Sequence, residues 1–99
     1  MNEKLTLITG ASSDIGFETV KLLLENNENV WGTFNSNNER LLDLKNKYLD
    51  KLILSNYDFL NSDDLSLFVS DLSKNKHKIK SFISLASLRN IVEYGGITA

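Results

Sequence analysis

Ninety-nine residues, 41% apolar and 24% charged, suffice for one small domain with a single core and are too few for two. A formal charge of −2 creates no field that would gather nucleic acid or an acidic membrane surface, and the lack of cysteine excludes a disulfide framework or a thiolate metal site. No apolar run approaches a bilayer span and no signal-peptide pattern opens the chain, so a cytoplasmic protein without nucleic-acid or membrane partners is expected.

The elements alternate along the chain. Lys4 to Ile8 is a short apolar run that predicts a buried strand. From Ile15 the apolar residues Ile15, Val20, Leu22, Leu23 and Leu24 fall largely at helical spacing and stop at the Asn26-Asn27 breaker. Asn29 to Phe34 predicts a second strand and Asn35 to Asn38 a turn. Ser36 or Asn37 would cap the helix that follows, with Leu41, Leu42, Leu44 and Tyr48 inward. Lys51 to Leu54 is a third strand. The cluster Asn61-Ser62-Asp63-Asp64 starts another helix, whose apolar face is Leu65, Phe68, Val69 and Leu72. Lys80 to Ala86 is the fourth strand. A βαβαβαβ order implies an α/β domain with a parallel sheet and helices on both faces. The basic run from Lys74 to Lys80, with the single histidine His77, reads as a solvated helix C-terminus that complements the helix dipole.

Between the first strand and the first helix stands Thr9-Gly10-Ala11-Ser12-Ser13-Asp14-Ile15-Gly16. Gly10 lets the chain turn sharply out of the strand, and Gly16 lets the helix pack closely on the sheet. Between them, backbone N–H groups at a helix N-terminus face outward, where the dipole favours an anion. The alternative is a plain strand-to-helix turn with incidental glycines. A strand before the motif and a helix after it favour the anion site, and in a doubly wound sheet that position receives a dinucleotide pyrophosphate. No Gly-Lys-Ser/Thr follows, so this is not the loop of a nucleotide hydrolase.

The segment resembles the short-chain dehydrogenase/reductase family, whose N-terminal signature is Thr-Gly-x-x-x-Gly-x-Gly; residues 9–16 match it except at Asp14. Val30-Trp31-Gly32-Thr33-Phe34-Asn35-Ser36 is similar to the family's second strand and the turn that meets the adenosine ribose. Asp58-Phe59 resembles its adenine contact. Ser84-Leu85-Ala86-Ser87 stands where the family has Asn-Asn-Ala-Gly and keeps only the alanine. The resemblance implies a Rossmann-type doubly wound parallel sheet, with residues 1–99 as its dinucleotide-binding portion and the remainder of the family fold absent. It implies cofactor contacts at Gly10, Ser12, Ser13, Asp14, Ile15, Gly16, Asn35, Ser36, Asp58, Phe59, Leu85 and Ala86. The activity it implies is hydride transfer at a carbonyl or alcohol of a small-molecule substrate, with NADP or NAD as cofactor.

Three departures qualify the expectation. Asp14 replaces the glycine nearest the diphosphate; aspartate tolerates left-handed backbone, and its carboxylate is expected to cap the following helix instead of facing phosphate. Ser84 and Leu85 replace the amides that brace the fourth strand. The family's catalytic Ser and Tyr-x-x-x-Lys have no counterpart, since Tyr94 lies four residues from Thr98, so no catalytic residue and no metal ligand is assigned. A non-catalytic dinucleotide-binding module and a truncated structural remnant therefore stand beside the oxidoreductase reading. At the end of strand two, Thr33-Phe34-Asn35-Ser36 carries no carboxylate to exclude a 2′-phosphate, Asn35 and Ser36 can donate to one, and Arg40 lies on the next helix, which leans toward NADP. The run Phe82-Ile83-Ser84-Leu85-Ala86 has neither charge nor proline, with Lys80 just outside it. As a sheet edge it predicts either a longer parent chain, with Thr98 capping the next helix, or a homo-oligomer.

Overall fold

In the computed structural model, residues 4–35 and 38–85 are described. They form β1 (Leu5–Thr9), α1 (Asp14–Glu25), β2 (Asn29–Phe34), α2 (Glu39–Tyr48), β3 (Leu52–Asn56), α3 (Ser62–Asn75) and β4 (Ile79–Ser84), with single 3₁₀ turns at Leu49–Lys51 and Lys76–Lys78. All pairings are parallel, in the order β3-β2-β1-β4.

The direction of travel across the sheet decides which face each helix covers. From β1 to β2 to β3 the chain moves one way, so right-handed crossovers place α1 and α2 on one face. The return from β3 to β4 runs the other way and places α3 on the opposite face. Two cores result. Ile8, Val30 and Leu52 pack with Val20 and Leu24 of α1 and Leu41 and Leu44 of α2. Leu7, Trp31 and Tyr57 pack with Phe68 of α3. Because β1 is covered on both faces, adjacent Leu7 and Ile8 are each fully buried, which is why this strand reads as a run and not as an alternation.

The strand-helix alternation and doubly wound α/β architecture predicted from sequence are those of the structure. The buried stripes are narrower than predicted. In α1 the buried positions Gly16, Val20 and Leu24 recur every fourth residue, while Ile15 and Leu22 are exposed. In α2 Leu41 and Leu44 are inward, Tyr48 is half-buried and Leu42 is exposed. In α3 only Phe68 is buried; Leu65 and Val69 face outward. One stripe of a helix touches a sheet, and leucine flanking it counts as apolar in a sequence without reaching the core.

The ends also shift. β1 and β3 run on to Thr9 and Asn56, and β4 begins at Ile79 and stops at Ser84. Lys80 is therefore inside β4, where the register with β1 is interrupted, and it forms an ion pair with Glu28. α1 ends at the predicted breaker: Asn27 adopts φ 65°, a left-handed conformation asparagine accepts readily. Lys74, Lys76, His77 and Lys78 are exposed at the C-terminal end of α3, as the solvated reading expects. Among the described residues no helix is long and apolar enough to cross a membrane.

Candidate functional site

Every loop that leaves the carboxyl end of a strand lies along one edge of the sheet: residues 10–13 after β1, Asn35 after β2, residues 57–61 after β3 and Leu85 after β4. β1 is followed by β2 on one side and flanked by β4 on the other. The strand order reverses between β1 and β4, which opens a crevice at that edge. The loops are laced to the sheet they leave. Ala11 N donates to Thr33 O, Tyr57 N to Phe34 O and Leu85 N to Thr9 O, each at 2.9 Å.

The β1–α1 loop is built around two glycines. Gly10 has φ 77°, where a side chain is strained. Gly16 presses against it: a Cβ on Gly16 would lie 2.0 Å from the Gly10 carbonyl oxygen. Ser13 holds this contact together. Its Oγ donates to Gly10 O at 2.9 Å and accepts from Gly16 N at 3.0 Å, so it is the N-cap of α1. Among the described residues the amides of Ser12, Asp14 and Ile15 have no acceptor, leaving three donors at the N-terminus of α1, at the carboxyl end of β1. Ile15 is exposed beside them.

Asp14 is not the cap predicted from sequence. Serine one position earlier already occupies the Gly16 amide, and Asp14, as the first helical residue, turns its carboxylate to Arg40 of α2 at 3.1 Å. Arg40 also donates to Ser12 O at 3.2 Å, and its guanidinium lies 4.5 Å from the centre of the Phe17 ring. The acidic group that replaces glycine is thus neutralised by a cation anchored to the same loop. Sequence alone brought Arg40 within reach of the ribose end of the site and gave no sign that it spans back to the β1–α1 loop, because that contact depends on how α1 and α2 lie side by side on the sheet.

The β3 loop is fixed from beneath. Asn61 Oδ1 accepts from the amides of Asp63 and Asp64 as the N-cap of α3, and Asp64 Oδ2 accepts from Asp58 N at 2.8 Å. Asp58 Oδ1 accepts from Leu60 N at 3.0 Å. Phe59 is half-buried, its ring 5.0 Å from that of Phe68 and 6.1 Å from that of Tyr57, so its backbone more than its ring is available at the edge. At the crevice itself, Thr9 Oγ1 donates to Ser84 Oγ at 3.2 Å. A hydroxyl pair thereby braces β4 where the family carries amides. Asn35 is exposed at the end of β2. Ser36, Ala86, Tyr94 and Thr98 lie outside the described residues.

Away from the edge, Tyr57 is buried and its hydroxyl donates to Asp71 at 2.5 Å. Burial first, then the neighbouring Asp71 carboxylate, push its pKa from the usual 10 up to about 12. That keeps it neutral and marks it as a packing group under α3. Among the described residues no cluster of His, Asp and Glu is placed to hold a metal ion.

Comparison with known proteins agrees with this geometry. No family model and no curated protein matches the chain. Among solved structures, a short-chain dehydrogenase/reductase from Saccharomyces cerevisiae is 30% identical, with a TM-score of 0.68 over 86% of this chain and 34% of that one. A 4-hydroxyisoleucine dehydrogenase complexed with NADH is also 30% identical, with a TM-score of 0.61 over 75% of this chain and 30% of that one. A short-chain dehydrogenase from Streptomyces avermitilis shares the fold at 24% identity, with a TM-score of 0.67 over 81% of this chain and 29% of that one. The chain spans about a third of the length of these structures. In its strand order and structural relatives, the chain matches the N-terminal part of short-chain dehydrogenases/reductases.

Proposed function

We propose that residues 1–99 are the dinucleotide-binding portion of an NAD(P)-dependent oxidoreductase acting on the carbonyl or alcohol of a small molecule. The observation that carries this reading is the glycine-walled loop after β1, with three amides at the N-terminus of α1 that have no partner among the described residues, beside the reversal in strand order. A diphosphate fits that cradle: it needs close backbone approach and N–H donors, and a Cβ at Gly16 would destroy the cradle's wall. The relative that binds NADH lends further support.

In this reading the amides of Ser12, Asp14 and Ile15 bind the diphosphate, and Gly10, Ser13 and Gly16 shape the loop. Asn35 and Ser36 are assigned to the adenosine ribose, Asp58 and Phe59 to the adenine, and Leu85, just after the end of β4, with Ala86 completes the set of cofactor contacts. When bound, the nicotinamide supplies the hydride chemistry. This portion orients it and holds its anionic centre against a helix dipole. Acid–base groups are not assigned within residues 4–35 and 38–85.

The test is a fluorescence titration of the protein with NADH, repeated on Ile15→Glu. Ile15 is 70% exposed, so the fold tolerates the change, while a carboxylate beside the three amides repels a diphosphate. Saturable binding weakened about tenfold or more at unchanged melting temperature supports the reading. Equal affinity in both proteins refutes it, as does failure of both NADH and NADPH to bind the wild-type chain.

A further inference from the structure

We propose that Asp14 sets the discrimination between the two nicotinamide dinucleotides, by holding Arg40 in an ion pair that a ribose 2′-phosphate must break. This rests on the dinucleotide-binding reading above and adds to it a residue that selects between cofactors.

Three contacts fix the Arg40 guanidinium: the Phe17 ring under its face, Ser12 O at 3.2 Å and the Asp14 carboxylate at 3.1 Å. Arg40 is in the first turn of α2, shortly after the end of β2, which is where the ribose 2′ position of a dinucleotide lies in this architecture. Arg40 is the first cation after β2, and its guanidinium is turned back to the β1–α1 loop. A guanidinium binds carboxylate and phosphate through the same N–H donors; Asp14 and the Ser12 carbonyl share its Nη2, and a 2′-phosphate taking that nitrogen must displace Asp14. The end of β2 reads Thr33-Phe34-Asn35-Ser36, without the carboxylate that would otherwise reject a 2′-phosphate directly. Discrimination passes instead to the loop after β1, where an aspartate stands in place of glycine.

The pair can be broken. Asp14 is 95% exposed and Arg40 46% exposed, and exposed ion pairs are weak. The lock consequently biases selection without making it absolute. Removing the Asp14 charge also relieves repulsion of the diphosphate, but that part is common to both dinucleotides. The ratio of the two affinities isolates the effect on Arg40.

NADPH and NADH are titrated by calorimetry into the wild-type chain, Asp14→Asn, Asp14→Gly and the double variant Asp14→Asn with Arg40→Gln, with melting temperatures to establish folding. In Asp14→Asn and Asp14→Gly the NADPH-to-NADH affinity ratio is expected to rise about fivefold, and in the double variant to fall back to the wild-type ratio or below. A ratio that stays constant while both affinities rise shows that Asp14 acts only on the shared diphosphate and overturns the proposal. A gain that persists without Arg40 overturns it as well. If neither dinucleotide binds the wild-type chain, the dinucleotide-binding reading itself has failed and this inference falls with it.

Discussion

Gly16 and Gly10 are in contact without an atom to spare: any side chain on Gly16 begins 2.0 Å from the Gly10 carbonyl oxygen and 2.9 Å from its carbon. Both neighbours are backbone, and Gly10 is held at φ 77° by the turn out of β1, so neither can swing aside. Gly16→Ala is expected to cost about 3 kcal/mol, the upper range for forcing a methyl group into a packed site. Urea denaturation measures it. A loss under about 0.5 kcal/mol would mean that α1 can lift off the loop.

Leu49 supplies the opposite case. It has φ 51° and ψ −116°, a region suited to glycine, and its side chain is 64% exposed. Relief of that conformation outweighs the little packing lost. Leu49→Gly is expected to stabilise the protein by about 1 kcal/mol, read as a shift in the urea midpoint at constant slope.

Tyr57 makes stability depend on pH at the alkaline end. Its folded pKa, about 12, lies above the unfolded value of 10, so its contribution is complete below pH 10 and is lost as pH rises through 12. The loss is on the order of 2 kcal/mol. Stability of wild type minus that of Tyr57→Phe, followed from pH 8 to pH 12, should fall across that window. A constant difference would show that neither burial nor the Asp71 carboxylate shifts the ionisation of Tyr57.

β4 presents an unpaired side. Among the described residues it pairs only with β1, and Phe82, on the α3 side of the sheet, is 56% exposed. Lys80 inside the strand blunts one end of that edge, while Phe82 to Ser84 carries no charge. The 99-residue chain is expected to self-associate at high concentration in analytical ultracentrifugation, and Phe82→Lys to shift it toward monomer. A monomeric wild type at high concentration rules this out.

The alternation of strands and helices, the parallel sheet and the glycine loop were legible in the sequence because each is a local signal. Apolar runs of strand length, 3.6-residue spacing, breakers such as Asn26-Asn27 and glycines at Gly10 and Gly16 carry their meaning within a few residues. What a helix buries was less legible. Leu22, Leu42, Leu65 and Val69 match the period and still face outward, since only tertiary packing chooses which stripe meets the sheet. The role of Asp14 was decided in the same way. Sequence showed a carboxylate in a phosphate loop and offered the nearest amide as its partner. The fold gave that amide to Ser13 and brought Arg40, 26 positions along the chain, to neutralise Asp14. Local chemistry determines what a residue can bind; which of its possible partners arrives depends on elements far apart in sequence that the sheet sets side by side.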